Sequence, residues 1–222
     1  METNSITLMH WNVRGLAEPI KMMLEYLHIP YVDKELEFKG PESLEDWNKM
    51  KDSLDFECPA LPNFRDTQHK ISLTNAIAIC RYLAQKYKPK MVGSAMNEYA
   101  EIDALLYLSY DLRSSIISSY EDGWEKNKEG TVAWIKEKVR YVEKFLKSRS
   151  WLSGKLPSIA DFVFCEVLEY VNYIDAAIME PYMRCRNLQK RLYLIPEVAK
   201  YRTTQKGFET DKNSQLALLY EH

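Results

Sequence analysis

Apolar positions change their spacing about two-fifths of the way along this chain. Up to residue 90, short runs with strand character alternate with runs of helical period. Ser5–Met9 reads as a short buried strand, followed by a polar turn at His10, Trp11 and Asn12. From Pro19 to Leu27, Ile20, Met23, Leu24 and Leu27 recur at helical spacing, with the proline tolerated in the first turn. Pro30–Leu36 fits a second strand, and Ser43–Met50 is a polar segment, helical at best. Asn63–Arg65 and Lys70–Leu73, separated by a polar turn at Asp66–His69, predict a hairpin. Thr74 then opens a helix over Asn75–Tyr87. The order β-α-β-α-β-β-α suits a small mixed sheet covered by helices.

Pro89, Gly93 and Ser94 interrupt the pattern within residues 88–98. A linker at 89–96 divides a first domain, 1–88, from a second, 97–222. Beyond it the period stays helical. Ile102, Leu105, Leu106 and Leu108 begin a long helix; Val132–Leu146, Ile159–Ile174, 184–193 and 196–204 are further ones. The second half reads as an all-α domain of five or six helices, so the class is α+β. Ser158 and Asp161 form a capping box just ahead of the most apolar of these helices.

Composition narrows the function. With 46% apolar and 28% charged residues, the chain can bury a substantial core. A net charge of −2 gives no basic field, which argues against nucleic acid as a partner. Four scattered cysteines without a CxxC pair point to a reducing, cytoplasmic setting rather than a disulfide scaffold. The N-terminus lacks the pattern of a signal peptide, and no apolar run is long enough to span a membrane. No HExxH, GxSxG, P-loop or paired Cys/His spacing supports metal or acyl-transfer chemistry.

Several residues carry two readings. Leu61-Pro62 opens a strand; a trans bond makes it a simple strand start, and a cis bond would offer the Leu61 backbone to a ligand. Thr74 can cap the helix it precedes, and the free N–H groups of that first turn can hold a carboxylate. Trp47 and Lys51 share one helical face, where an aromatic flank and a cation suit a small anion; a packed indole beside a solvated lysine is the plainer reading. Tyr107, Tyr110, Tyr120 and Trp124 cluster early in the helical half, as packing or as the wall of a pocket between domains. Asp66 and His69 read as turn formers, and Arg184, Arg186, Lys190 and Arg191 as a solvated helix face.

Taken together, these residues resemble the cytosolic glutathione S-transferases, the mu class in particular. Trp11-Asn12-x-Arg14-Gly15-Leu16-Ala17-x-Pro19-Ile20 matches the family's opening motif. Trp47-x-x-x-Lys51, Pro59-x-Leu61-Pro62 and His69-Lys70-Ile71-x-x-Thr74-Asn75-Ala76-Ile77 follow in the same order and spacing. The resemblance implies a thioredoxin-like first domain, an all-helical second domain, and conjugation of reduced glutathione to hydrophobic electrophiles. It implies a cis Leu61-Pro62 bond whose backbone pairs with the cysteinyl part of glutathione. It implies that Thr74 and the N–H groups after it hold the γ-glutamyl carboxylate, with Trp47 and Lys51 at the glycine end. Trp11, Ala60 and Leu73 fall at further glutathione-contacting positions, and Tyr110, Tyr120 and Trp124 would line the electrophile pocket. Asp111 matches an aspartate that reaches the partner subunit's glutathione, which implies a homodimer.

The chain also departs from the family pattern. His10 stands where the thiol-activating tyrosine belongs, Leu73 replaces a glutamine, Leu44 an arginine and Ala60 an asparagine. Cys58 stands where the mu class places a phenylalanine that keys into the dimer partner. His10 is then expected to stabilise the glutathione thiolate, as an imidazole N–H donor or an imidazolium. The alternative is a weakly active or non-catalytic ligand-binding protein of the same fold.

Overall fold

A computed structural model describes residues 5–205, the Glu121 side chain excepted. Its first half holds a four-stranded sheet in the order β2-β1-β3-β4, made of β1 (Ile6–Trp11), β2 (Val32–Leu36), β3 (Asn63–Asp66) and β4 (Ile71–Thr74). β1 and β2 run parallel, so a crossover must join them, and α1 (Glu18–Tyr26) supplies it. β3 is antiparallel to β1, and β4 to β3, which gives the expected hairpin. This is the thioredoxin-like half.

The strand period of two sorts β1 onto two faces. Ile6 and Leu8 enter the main core with α1 and α3 (Ala76–Tyr87). Met9 and Trp11 point the other way, into a smaller cluster with Phe38 and Leu61 under α2 (Pro41–Met50). β1 runs two residues further than its apolar run suggested. The parallel ladder continues through His10↔Glu35 and Trp11↔Leu36, so the turn begins at Asn12 and not at His10.

The second half contains α4 (Met96–Glu121), α5 (Trp124–Phe145), α6 (Ile159–Asp175), α7 (Met183–Tyr193) and α8 (Pro196–Arg202). α4 starts six residues before Ile102, and α5 eight before Val132. Those first turns are mostly polar and solvated, so apolar spacing does not register them. Ser158 and Asp161 form the expected capping box: the Asp161 carboxylate accepts from the Ser158 N–H at 2.7 Å and from the Leu152 N–H at 2.8 Å. That double anchor starts α6, the buried axis of the half, which packs on α4, α7 and α1. Residues 89–92 form a tight 3-10 turn, and Met91 and Val92 insert into the core.

The two halves share one apolar core. Tyr26 of α1 meets Phe162 of α6 with ring centroids 5.4 Å apart. Beside it, Arg14 makes a two-pronged bond to Glu166, at 2.8 and 3.0 Å, with both side chains buried. Asp66 does more than form a turn. It accepts from the His69 N–H at 3.3 Å, and its fully buried carboxylate also takes bonds from Lys86 at 2.6 Å and Tyr82 at 2.8 Å. Burial favours the neutral acid, but these donors outweigh it and hold the carboxyl at about 2. No helix among the described residues is long and apolar enough to cross a membrane.

Candidate functional site

A cavity of about 440 Å³ opens between the halves, lined by Leu16 after β1, Cys58–Leu61 before β3, Thr74–Ile77 at the entry to α3, and Tyr110 on α4. The Leu61–Pro62 bond is cis. Thr74 does not cap α3. Its hydroxyl donates to the Cys58 carbonyl at 2.9 Å and ties the helix entry to the cis-proline loop. Asn75 is the capping residue: its Oδ1 accepts from the N–H groups of Ile77 (3.0 Å) and Ala78 (3.2 Å). At φ +76° the position favours asparagine, whose short amide tolerates the left-handed region and reaches the exposed N–H groups.

Of the residues singled out from sequence, Ala60, Leu61, Thr74 and Tyr110 come together in this wall. Pro62 is buried behind it, and Leu73 packs half-buried against the main core. Trp11 is a core residue of the smaller cluster, edge-on to Phe38 (5.5 Å) and Trp47 (6.4 Å). Lys51 opens a 3-10 turn directly after α2. Asp111 lies exposed on α4, next to Tyr110. Tyr120 and Trp124 stack on each other, centroids 4.8 Å apart and nearly parallel, where α4 gives way to α5. Sequence reasoning did not single out Leu16, Cys58, Pro59, Asn75, Ala76 and Ile77 as site residues, though all line the cavity. All but Cys58 belong to matched motifs, so a signal existed; the resemblance ties Cys58 only to the dimer, not to the ligand.

His10 is placed differently. Its ring is 2% exposed and does not belong to the cavity wall. Nδ1 bonds the Trp11 carbonyl, and Nε2 meets Asp33 Oδ1 at 2.8 Å. Both ring nitrogens are thus engaged within the fold. Lys21 reaches the same group, 2.8 Å from Asp33 and 3.7 Å from Glu35. Burial alone would raise the Asp33 carboxyl, but hydrogen bonds from His10 and Lys21 outweigh it and hold it below the ordinary carboxylate range. His10, Asp33 and Glu35 bring ligand-type atoms within 4.8 Å of one another, as a metal centre would. The Lys21 ammonium bonds Asp33, lies within ion-pair distance of Glu35 and already supplies positive charge there. The cluster is therefore paired internally at a partly exposed strand end.

A sheet of this order, a cis-proline loop facing a helix entry, and an all-helical second half describe the architecture of a two-domain glutathione transferase. The family model "Glutathione S-transferase, N-terminal domain" matches residues 6–85, and "Glutathione S-transferase, C-terminal domain" matches residues 110–205. The two matches between them span most of the chain, which belongs to the glutathione S-transferase family. Its relatives include mu-class members. The chain is 28% identical over 209 residues to the class-mu 26 kDa isozyme 51 of Fasciola hepatica, covering 94% of this chain and 93% of that one. It is 28% identical over 211 residues to glutathione S-transferase Mu 1 of Mus musculus, covering 94% and 95%. Among solved structures, it matches the pi-class glutathione S-transferase of Onchocerca volvulus with a TM-score of 0.77 at 24% identity, covering 90% of this chain and 93% of the other. It matches prostaglandin synthase D of Nilaparvata lugens with a TM-score of 0.73 at 26% identity, covering 91% and 99%.

Proposed function

We propose that this chain conjugates reduced glutathione to hydrophobic electrophiles, with the tripeptide seated in the cavity between the cis-proline loop and the entry to α3. One observation carries the reading: in a member of this family, backbone from Cys58–Leu61 and the first turn of α3 face each other across a cavity of about 440 Å³. The N-terminal end of α3 is the positive end of the helix dipole, which suits the γ-glutamyl carboxylate, although Asn75 already takes the Ile77 and Ala78 N–H groups. Leu61 supplies main-chain groups for the cysteinyl part. Trp47 and Lys51, at the end of α2, serve the glycine carboxylate, and Tyr110, Tyr120 and Trp124 serve the electrophile. A grip made mainly of backbone tolerates the losses at Ala60, Leu73 and Leu44, each of which removes a side-chain bond of about 1 kcal/mol.

The assembly we propose is a homodimer through α4. Met96, Tyr99 and Tyr107 recur at helical spacing and are 82%, 38% and 58% exposed, an apolar stripe that a second copy would cover. Asp111 continues that face toward the partner's cavity. All four cysteines are free, which supports a reducing, cytoplasmic location.

One observation favours the second reading, a binding protein with slow turnover. The ring nitrogens of His10 are engaged by Trp11 and Asp33 and do not face the cavity. The test is conjugation of a chromogenic aryl halide, run beside calorimetric titration of reduced glutathione. Saturable binding with turnover above the uncatalysed rate supports the enzyme; saturable binding without turnover supports the carrier; no saturable binding ends both.

A further inference from the structure

We infer that the Tyr110 hydroxyl supplies the hydrogen bond that holds the glutathione sulfur as a thiolate, from α4 and not from the end of β1. This rests on the cavity being the glutathione site. A bound thiol at its free pKa is only a few per cent ionised at neutral pH, so turnover requires a donor at the sulfur. Leu16, Pro59, Ala60, Leu61, Ala76 and Ile77 have no side-chain donor. The Thr74 hydroxyl is committed to the Cys58 carbonyl. The His10 ring is committed on both nitrogens and lies outside the wall. The Asn75 carboxamide is tethered as the α3 cap, and a carboxamide N–H is a much weaker acid than a phenol. The Cys58 thiol is a weak donor.

Tyr110 remains. It is 38% exposed, it lines the same cavity as the cis-proline loop, and its hydroxyl makes no hydrogen bond to any of the described residues. Among the described residues it is thus an unengaged phenol, held on a 26-residue helix. Placing the donor on α4 also puts it on the side from which the helical half presents the electrophile. The thiol proton leaves to solvent, and the phenol keeps its own proton while donating to S⁻. With an aryl halide, a sulfur lone pair then forms the carbon–sulfur bond, and the halide departs with the electron pair of the carbon–halogen bond.

The experiment compares wild type, Tyr110→Phe and His10→Gln, each checked for unchanged circular dichroism and thermal midpoint. Calorimetry reads glutathione affinity, the ultraviolet absorbance of the thiolate reads the titration of the bound thiol, and a pH–rate profile reads turnover. A charge-assisted hydrogen bond is worth about 1–2 pH units at the thiol. Tyr110→Phe is therefore expected to keep glutathione affinity within about threefold, raise the thiol midpoint by about that much, and lower kcat/KM by about 10–100-fold at neutral pH. An unshifted midpoint in Tyr110→Phe overturns the proposal, as does a shift in His10→Gln alone. Absence of glutathione binding by the wild type would overturn the site itself, a result the calorimetry separates from the other two.

Discussion

The cluster around His10 and the cavity between the two halves both lie near the end of the central strand, and they use polar groups in opposite ways. Around His10, a ring, an ammonium and two carboxylates face one another, with donors matched to acceptors. Around the cavity, the wall is largely main chain and small apolar side chains, and the Tyr110 phenol has no partner among the described residues. Residue type alone would place the chemistry in the first region. We place it in the second on hydrogen-bond satisfaction, because a group whose bonds are closed within the fold maintains shape, while an open one can receive a ligand.

That contrast can be broken by experiment, and the largest effect is expected where charge is most deeply sealed. Arg14→Met strands the buried Glu166 carboxylate and should cost about 3–5 kcal/mol in a denaturant titration. The double variant Arg14→Met/Glu166→Met should cost clearly less, because it removes the buried carboxylate with its partner and Glu169 keeps Arg202; equal losses would mean that the pair does not act as a unit. Asp66 gives the next effect. Its carboxyl is held at about 2 in the fold, below the ordinary carboxylate value, so its contribution of about 2 kcal/mol is complete above about pH 5 and drains away as the pH falls through 2. Asp66→Asn should lower stability at neutral pH and flatten that acid limb, as thermal melts across pH will register.

Smaller effects sharpen the division between shape and chemistry. Asp33→Ala leaves His10 and Lys21 without their shared acceptor and should cost about 1–3 kcal/mol of stability. Its kcat/KM for an aryl halide should stay within about twofold of wild type, since one pH unit of thiol shift would already be a tenfold change. A large kinetic loss would make the His10 cluster part of the chemistry after all. Thr74→Val removes the bond to the Cys58 carbonyl and should cost about 1 kcal/mol, with KM for glutathione rising about fivefold and kcat little changed.

Much of the fold was readable before any coordinates. The strand and helix order came from periodicity, and the capping box at Ser158 and Asp161 named the start of α6 correctly because both halves of that motif are local. Element ends were less readable. β1 continues through His10 and Trp11 only because β2 lies alongside to pair with them, and α4 and α5 begin in polar turns that carry no apolar signal. Thr74 and Asn75 show the same limit at one residue's scale. Both are good capping types, and the choice fell to Asn75 once the backbone there took a positive φ and the Thr74 hydroxyl found the carbonyl of Cys58.

The amino-acid sequence by itself determined the class of this protein: a mixed sheet, a helical second half, and the motifs that identify a glutathione transferase. Those features are local or periodic, and they survive being read one residue after another. The three-dimensional packing decided which side chains are available for chemistry. Asp33 lies 23 residues from His10, Glu166 lies 152 from Arg14, and Tyr110 sits about 50 residues from the loop whose cavity it shares. Whether a donor is engaged depends on partners brought together only when the chain closes on itself, and no spacing rule along the sequence contains that information.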